Sequence, residues 1–275
     1  MTDPAPPVAS SLPGPAPLLG PGDPPAWRSF NDGGRASLLL LCDHASNRIP
    51  SALGTLGLEP ANLQRHIAWD IGAATVTERL AAMLDAPALL SGYSRLVLDC
   101  NRHPGGAGSI PAASDGVAVP GNAGLTEAAA AARIDALFHP YQQAVADRIA
   151  GFLAAGRVPA LVSIHSFTPF MNGLARPWHF GVLWDRDPRI ARPLLAALGA
   201  QAGVVVGDNE PYSARQPHGY TTAVHGTGGG LPHVLVEIRQ DLIADDAGAA
   251  LWAGRLAAAL KPILADPKLY AIDHF

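Results

Sequence analysis

Four short polar segments each follow an apolar run of the chain, and their residue types could bind a divalent metal ion and a small anionic ligand. These segments are Asp43–Asn47, Asp99–Arg102, Ser163–Ser166 and Glu237–Arg239. Two of them place a histidine, His44 or His165, at the end of a predicted strand. Imidazole is a common zinc ligand, and a catalytic zinc takes three protein ligands and keeps one position for water. Two such histidines from distant segments therefore favour a divalent-metal site over two separate structural histidines.

The third metal ligand has two candidates. Asn47 lies three residues after His44, and Asp70 lies further along the chain. Each also has an ordinary structural interpretation, because Asp70 directly precedes a predicted helix, as an N-cap does, and Asn47 precedes a predicted turn. The spacing leaves both candidates open.

Glu237 is a carboxylate inside the apolar run VLVEI. Burying a charge costs several kcal/mol in practice unless the charge is paired. Arg239 is two residues away and therefore lies on the same face of a strand. Two hypotheses follow: a structural ion pair between Glu237 and Arg239, or a general base whose pKa is tuned by its surroundings.

An Asn–Arg pair, Asn101 and Arg102, follows another apolar run. The planar guanidinium suits a carboxylate and the amide adds a donor, so this pair is predicted to bind substrate. The alternative is a salt bridge from Arg102 to Asp99 or to a neighbouring acid. Arg95 is either a second anion ligand or a surface charge. The polar segment 208–212, which includes Tyr212, follows a predicted strand, and the glycine-rich stretch 219–230 after it is predicted to form a mobile wall of the pocket.

A scaffold of alternating strands and helices is predicted to bring these segments together. The predicted strands are Ser37–Cys42, Ala88–Leu90, Arg95–Asp99, Ala160–Ile164, Phe180–Trp184, Val204–Val206 and Val234–Ile238. The predicted helices are Ala61–Ala68, Ile71–Leu84, Thr126–Ala155, Pro188–Ala202 and Asp245–Leu264. Such alternation predicts an α/β fold of three layers, with a central mixed, mostly parallel sheet flanked by helices. In such sheets functional groups collect where strands end.

The composition limits the class of protein. A chain of 275 residues, 48% apolar and 15% charged, is typical of a globular protein. Its net charge of −4 argues against a nucleic-acid partner, and no apolar run approaches the ~18 residues of a membrane-spanning helix. Two cysteines without a CxxC motif argue against a disulfide framework. We expect a soluble, cytoplasmic protein.

The start of the chain is rich in proline, with nine between residues 4 and 25. Such a segment buries too little apolar surface to offset its ordering entropy, so it is predicted to be a disordered tail up to about Trp27. The predicted division is a tail over 1–34 and a single catalytic domain over 35–275. The tail has no basic region followed by an apolar one, so we do not expect a signal peptide.

Taken together, six segments resemble the N-formylglutamate amidohydrolase family. They are CDHASNRIP at 42–50, HIAWDIGA at 66–73, SRLVLDCNR at 94–102, SIHSFTP at 163–169, DNEPYS at 208–213 and LPHVLVEIRQDLI at 231–243. The resemblance implies a fold similar to zinc carboxypeptidases and aspartoacylases. It also implies a metal-dependent hydrolase of N-acyl amino acids, whose type reaction converts N-formyl-L-glutamate and water to formate and L-glutamate, a late step of one histidine-degradation route.

The resemblance also implies roles for individual residues. His44 and His165 would hold one Zn²⁺, or another divalent ion, per chain, and Glu237 would act as the base. Asn101 and Arg102 would grip a substrate carboxylate.

The sequence departs from the carboxypeptidase-like pattern at Asn47, where that pattern has Glu, so Asn47 and Asp70 both remain candidate ligands. Arg95 or Arg239 would help to stabilise the oxyanion, and Tyr212 would contact the substrate.

Alternative functions are another N-acyl-amino-acid deacylase, a carboxypeptidase-like enzyme, or a non-catalytic amino-acid-binding protein. The partner is a small molecule in each case, and the sequence leaves the oligomeric state open.

Overall fold

A seven-stranded sheet forms the centre of the protein in the computed structural model, which describes residues 17–216 and 219–275. Its strands are β1 (Trp27–Phe30), β2 (Leu38–Cys42), β3 (Ala88–Ser91), β6 (Ala160–Phe167), β9 (Phe180–Leu183), β10 (Val206–Asp208) and β11 (His233–Arg239). Two small hairpins pair β4 (Ala113–Ser114) with β5 (Val117–Ala118) and β7 (Phe170–Met171) with β8 (Leu174–Ala175).

The described residues form six α-helices, five between strands and one after β11. They are α1 (Pro60–Leu63), α2 (Ala73–Leu84), α3 (Glu127–Arg133), α4 (His139–Ala154), α5 (Pro188–Gly199) and α6 (Asp246–Leu264). Single π-helical turns cover Ile134–Phe138 and Thr222–Thr227. Short 3₁₀ turns cover Ser51–Leu53, Pro120–Asn122, Gln240–Leu242 and Pro267–Leu269. No helix in the described part of the chain is long and apolar enough to cross a membrane.

The strand order is β1-β3-β2-β6-β11-β9-β10. Four neighbouring pairs are parallel and two, β1 with β3 and β11 with β9, are antiparallel. The central strands are buried along almost their whole length, as expected for parallel strands covered on both faces. The predicted mixed, mostly parallel sheet is confirmed.

Helices cover both faces of this sheet. Leu38 and Leu40 of β2 pack with α2, α5 and α6, whereas Leu39 and Leu41 point to the opposite face and pack with α4. This alternation follows from the two-residue period of a strand. The result is the predicted three-layer α/β architecture.

The structure corrects the predicted start of the domain. Strand β1 pairs antiparallel with β3, from Trp27 opposite Ser91 to Phe30 opposite Ala88. This pairing makes residues 27–30 an edge of the sheet, so the predicted boundary at residue 35 is wrong. Residues 1–16 of the predicted tail lie outside the described residues, and the single-domain organisation of 35–275 stays a prediction.

Residues 95–99, predicted as a strand, instead form a turn. Leu96, Val97 and Leu98 are all buried, and they pack with Phe138 in a cluster separate from the main core of the sheet. The backbone N–H of Asp99 donates to the carbonyl of Ser109 rather than to a sheet neighbour.

Two predicted helices are also shorter than expected. The helix predicted over 61–68 is the single turn α1. The helix predicted over 126–155 is divided by the π-helical turn Ile134–Phe138, after which Pro140 occupies the first turn of α4, where its missing N–H costs nothing.

Candidate metal and substrate site

His44, Asp70 and His165 form a buried cluster at the carboxyl ends of β2 and β6. One ligand atom of each lies within 4.8 Å of the others. The Nδ1 atoms of both histidines face the same oxygen, Asp70 Oδ2, at 3.3 Å from His44 and 2.8 Å from His165. Two imidazole nitrogens and one carboxylate oxygen are a donor set that zinc accepts in catalytic sites.

The fold brings these three side chains together from distant parts of the sequence. Strands β2 and β6 are parallel neighbours, so His44 and His165 meet at one edge of the sheet. Asp70 joins them from the turn before α2, where its backbone N–H donates to the His44 carbonyl over 3.0 Å. The side chain of Asp70 does not cap the helix, because the N-cap of α2 is Gly72.

Of the two candidate third ligands, the structure brings only Asp70 to the histidines. The amide nitrogen of Asn47 instead donates to the carbonyl of Leu63 over 2.9 Å. Asn47 therefore holds the loop against α1 and lies outside the cluster.

A second carboxylate orients each histidine. His44 Nε2 lies 2.7 Å from Asp99 Oδ1, and His165 Nε2 lies 3.1 Å from Asp43 Oδ2. Asp43 also accepts hydrogen bonds from the hydroxyls of Tyr141 and Thr221, at 2.9 and 2.8 Å. A carboxylate on Nε2 fixes the tautomer that leaves the Nδ1 lone pair free to bind a cation.

The charged groups of the cluster shift one another's pKa values. Burial opposes a charged imidazole, but hydrogen bonds to Asp43 and Asp70 outweigh it and raise the pKa of His165 to about 10. Burial likewise opposes the charged carboxylate of Asp70, but the neighbouring His44 and His165 hold its pKa well below the usual range. A divalent cation bound to these rings would therefore compete with their protonation.

Arg95 completes the charge balance of the cluster. Its guanidinium lies 2.8 Å from Asp99 Oδ2 and 3.4 Å from Asp70 Oδ1. Burial opposes the charged form of Asp99, but His44 and Arg95 together hold the pKa of that carboxyl far below its usual range. Arg95 is therefore part of the buried site, not a surface charge.

Glu237 faces the cluster from β11, where it is the register partner of His165. Its side chain is 7% exposed, and its Oε2 is buried with no hydrogen-bond partner among the described residues. Burial raises the pKa of Glu237 to about 7, against the opposing positive charge of His165. A carboxyl of this kind can accept and return a proton near neutral pH.

Arg239 does not pair with Glu237, so the hypothesis of a structural ion pair is wrong. The chain turns after β11 into the 3₁₀ turn Gln240–Leu242, and Arg239 Nε binds Asp241 there over 2.8 Å. Arg239 is not among the residues that line the cavity above the cluster. An oxyanion role for Arg239 is therefore not supported.

The cluster and Glu237 lie in a cavity of about 690 Å³, whose walls include Arg95, Asn101, Arg102 and Tyr212. The Asn101 Oδ1 atom accepts from the backbone N–H groups of Tyr220 and Thr221, at 2.7 and 3.0 Å. Arg102 Nε lies 3.8 Å from Asp99 Oδ2, so Arg102 remains within reach of that carboxylate as it lines the cavity.

Tyr212 also lines the cavity and is 42% exposed. Its hydroxyl accepts from Arg176 over 3.0 Å, and the Arg176 guanidinium lies 4.9 Å from the centre of its ring. Sequence reasoning missed Arg176 and the orienting carboxylates Asp43 and Asp99. A signal for the carboxylates was present, because Asp43 directly precedes His44 and Asp99 lies two residues before Asn101.

The chain is similar to one sequence family and to several solved structures. The sequence model of the N-formylglutamate amidohydrolase family matches residues 36–244. The gene product Atu2144 from Agrobacterium tumefaciens superposes with a TM-score of 0.87 and 38% identity, over 90% of this chain and 98% of that one. N-formylglutamate amidohydrolase from Ralstonia eutropha JMP134 superposes with a TM-score of 0.67 and 18% identity, over 87% of this chain and 97% of that one, and so supports the fold alone. No curated protein sequence matches the chain.

Proposed function

Because this chain belongs to the N-formylglutamate amidohydrolase family, we propose that it hydrolyses the amide bond of an N-acyl amino acid with one bound divalent cation. The cation is Zn²⁺ in this proposal, and N-formyl-L-glutamate, the substrate that the family resemblance implies, is the reference substrate. One observation carries the proposal: an unpartnered buried carboxylate, Glu237, faces the His44–Asp70–His165 cluster inside a single cavity.

The residues present fit a divalent cation. The three ligand atoms lie close enough to share one ion, and each histidine has its second ring nitrogen on a carboxylate. That outer pair of carboxylates, Asp99 and Asp43, is the usual support of histidines that bind a metal. His44, His165 and Asp70 would hold the ion.

A cation bound there supplies a Lewis acid, which lowers the pKa of water and polarises an amide carbonyl. Glu237 takes a proton from the attacking water and returns it to the nitrogen of the leaving amino acid, so that formate and a free amine result from a formyl substrate. Arg95 stabilises the negative charge that develops on the carbonyl oxygen.

The remaining cavity residues position the substrate. Arg102 presents a planar donor fork to the α-carboxylate of the amino acid, and Asn101 lies beside it. Tyr212, which also lines the cavity, contacts the substrate. Holding the carboxylate fixes the amide beside the cluster and reduces the entropy lost on reaching the transition state.

The proposal is tested by measuring formate release from N-formyl-L-glutamate, with acetate release from N-acetyl-L-glutamate measured alongside. We expect release by zinc-supplemented protein and loss of release after chelation, restored by added Zn²⁺. Release that persists in chelated protein would contradict the metal-dependent reaction. If substrate binds without turnover while zinc is bound, the chain is an amino-acid-binding protein instead.

Three further parts of the proposal have separate support. The identity of the metal rests on the nitrogen-rich ligand set, and a role in histidine degradation rests on the family resemblance. A cytoplasmic location rests on the composition and cysteine content described above.

A further inference from the structure

The cavity continues beyond the catalytic cluster along strand β11. Side chains on one face of a strand are two residues apart, and His233 and Leu235 line the cavity together with Glu237. Four residues of strand span about 13 Å. We name this extension the side arm; it begins beside Glu237 and ends at His233.

Apolar groups and small hydroxyl side chains form the walls of the side arm. Leu183 of β9 is the register partner of Leu235, so the two leucines form one continuous floor. The π-helical turn Thr222–Thr227 faces them, with Ala223 and both terminal threonines lining the cavity. This surface suits an apolar side chain.

The far end of the side arm carries no positive charge among the described residues that line it. His233 Nδ1 lies 2.8 Å from the Leu231 carbonyl, and its Nε2 lies 3.1 Å from the Thr227 hydroxyl, so a neutral ring satisfies both contacts. Burial also lowers the pKa of His233. Asp185 lines the same region and adds negative charge.

The described cations that line the cavity lie elsewhere. Arg95 and Arg102 are next to the cluster carboxylates, and His66 lies near Asp115, at 3.5 Å. Arg215 is exposed and stacks over the Trp184 ring, with 5.4 Å between the guanidinium carbon and the ring centre. Arg189 also acts on His233, but it is held by Asp187 over 2.7 Å and is not among the residues that line the cavity. Arg215 does line the cavity, so a substitution of Arg215 tests whether it competes for an acidic side chain.

The side arm lies next to the residues that would hold the α-carboxylate. Asn101 Oδ1 binds the backbone of Tyr220 and Thr221, directly before the turn that forms the arm's outer wall. The α-carboxylate and the side chain of an amino acid share one carbon atom. With the carboxylate held at Asn101 and Arg102 and the amide at the His44–Asp70–His165 cluster, the side chain is the substituent of that carbon that is left to enter the arm.

We propose that the side arm receives an apolar amino-acid side chain, so that the favoured substrates are N-formyl or other N-acyl derivatives of apolar amino acids, not of glutamate. This inference rests on the proposed amide hydrolysis and adds the substrate class to it. A glutamate carboxylate in the arm would lose its hydrating water without gaining a cationic partner, which costs binding free energy. An apolar side chain does not carry this cost.

The test compares formate release from N-formyl-L-leucine, N-formyl-L-glutamate and N-formyl-L-lysine by the zinc-supplemented full chain. We expect kcat/KM to be at least about tenfold higher for the leucine derivative than for the other two. Equal or higher values for the glutamate or lysine derivative would overturn the inference and leave the proposed hydrolysis standing. If no compound releases formate, the hydrolysis itself fails.

Binding to metal-free protein gives a second readout that does not need turnover. Calorimetry with the same three compounds is expected to rank N-formyl-L-leucine as the tightest ligand. A tighter glutamate derivative would overturn the inference even in the absence of catalysis. If Arg215→Gln selectively weakens the glutamate derivative by about tenfold, Arg215 binds that side chain and the apolar assignment is wrong.

A charge introduced into the side arm should reverse the preference. Ala223 is exposed and lines the arm, so Ala223→Arg places a guanidinium on its wall, and Ala223→Gln is the uncharged control. We expect the Arg variant to shift the glutamate-to-leucine ratio of kcat/KM by about tenfold towards glutamate. An equal shift in the Gln variant would show that charge in the arm does not set the preference.

Discussion

The two sides of the cavity differ in how their polar groups are satisfied. On the cluster side, the carboxylates of Asp43, Asp70 and Asp99 each contact a histidine and at least one further donor. On the β11 side, Glu237 Oε2 has no partner among the described residues, and the residue two positions before it is Leu235. Hydrogen-bonded carboxylates with fixed positions suit the binding of a cation. A buried acid with an oxygen that has no hydrogen-bond partner suits proton transfer.

This difference has an energetic reason. Buried charges cost several kcal/mol each unless they are paired and hydrogen-bonded, so the three cluster carboxylates are tolerable only with His44, His165 and Arg95 beside them. Glu237 avoids the same cost by a raised pKa of about 7, which burial produces. Unlike the cluster carboxylates, Glu237 is therefore free to change its protonation state during a reaction.

Removing the unpartnered acid should have the largest effect on turnover. Glu237→Gln keeps the shape of the side chain but cannot accept a proton, so we expect kcat to fall by about 10²- to 10⁴-fold. Zinc affinity, measured by competition with a chromogenic chelator, should stay within about threefold, because Glu237 lies outside the predicted ligand set. A variant with wild-type kcat would remove Glu237 from the role of base.

Exchange of the candidate third ligand should weaken metal binding. Asp70→Ala removes the oxygen that both Nδ1 atoms face, and we expect zinc affinity to fall by more than about 100-fold. Asn47→Ala is the matched control, since Asn47 binds the Leu63 carbonyl and not the cluster. An equal loss of zinc affinity in the two variants would show that Asp70 contributes no more to zinc binding than Asn47 does.

Substitution of the outer carboxylates should give a smaller loss on the same side of the cavity. In Asp99→Asn and Asp43→Asn, an amide replaces the acceptor of each Nε2–H, and we expect zinc affinity to fall by about 10- to 100-fold. Glutamate at either position would test whether charge alone is sufficient. Unchanged affinity in both Asn variants would mean that these carboxylates serve stability and not the orientation of the rings.

The smallest effect is expected from the arginine predicted to hold the substrate. Arg102→Gln should raise KM about tenfold, the loss of one charge-assisted hydrogen bond, with a smaller change in kcat. Arg239→Gln is the control, because Arg239 pairs with Asp241 outside the cavity. If both variants raise KM equally, Arg102 does not hold the carboxylate.

The sequence predicted the parts of the site that follow from strand order. Apolar runs such as 38–42 and 233–238 form buried strands because few other structures bury so many consecutive apolar side chains. Their carboxyl ends then bring His44, His165 and Glu237 together, as expected for parallel neighbours.

Other features depend on tertiary contacts that spacing does not encode. Which of Asn47 and Asp70 lies beside the histidines depends on how two loops fold. Asn47 is held at the Leu63 carbonyl, whereas the turn before α2 brings Asp70 to His44. The run 95–99 resembles a strand in composition, but it packs in a cluster separate from the main core instead of joining the sheet. Strand β1 was missed because it directly follows a proline-rich segment and is only four residues long.

Stepwise addition of Zn²⁺ to metal-free protein, with bound zinc and formate release from N-formyl amino acids measured in the same samples, shows whether one bound ion makes the protein a hydrolase. We expect both quantities to rise together and to saturate at about one zinc per chain, as for a catalytic site with one ion. Full formate release before any zinc is bound, or full zinc occupancy without formate from any N-formyl amino acid, would contradict the proposed metal-dependent hydrolysis.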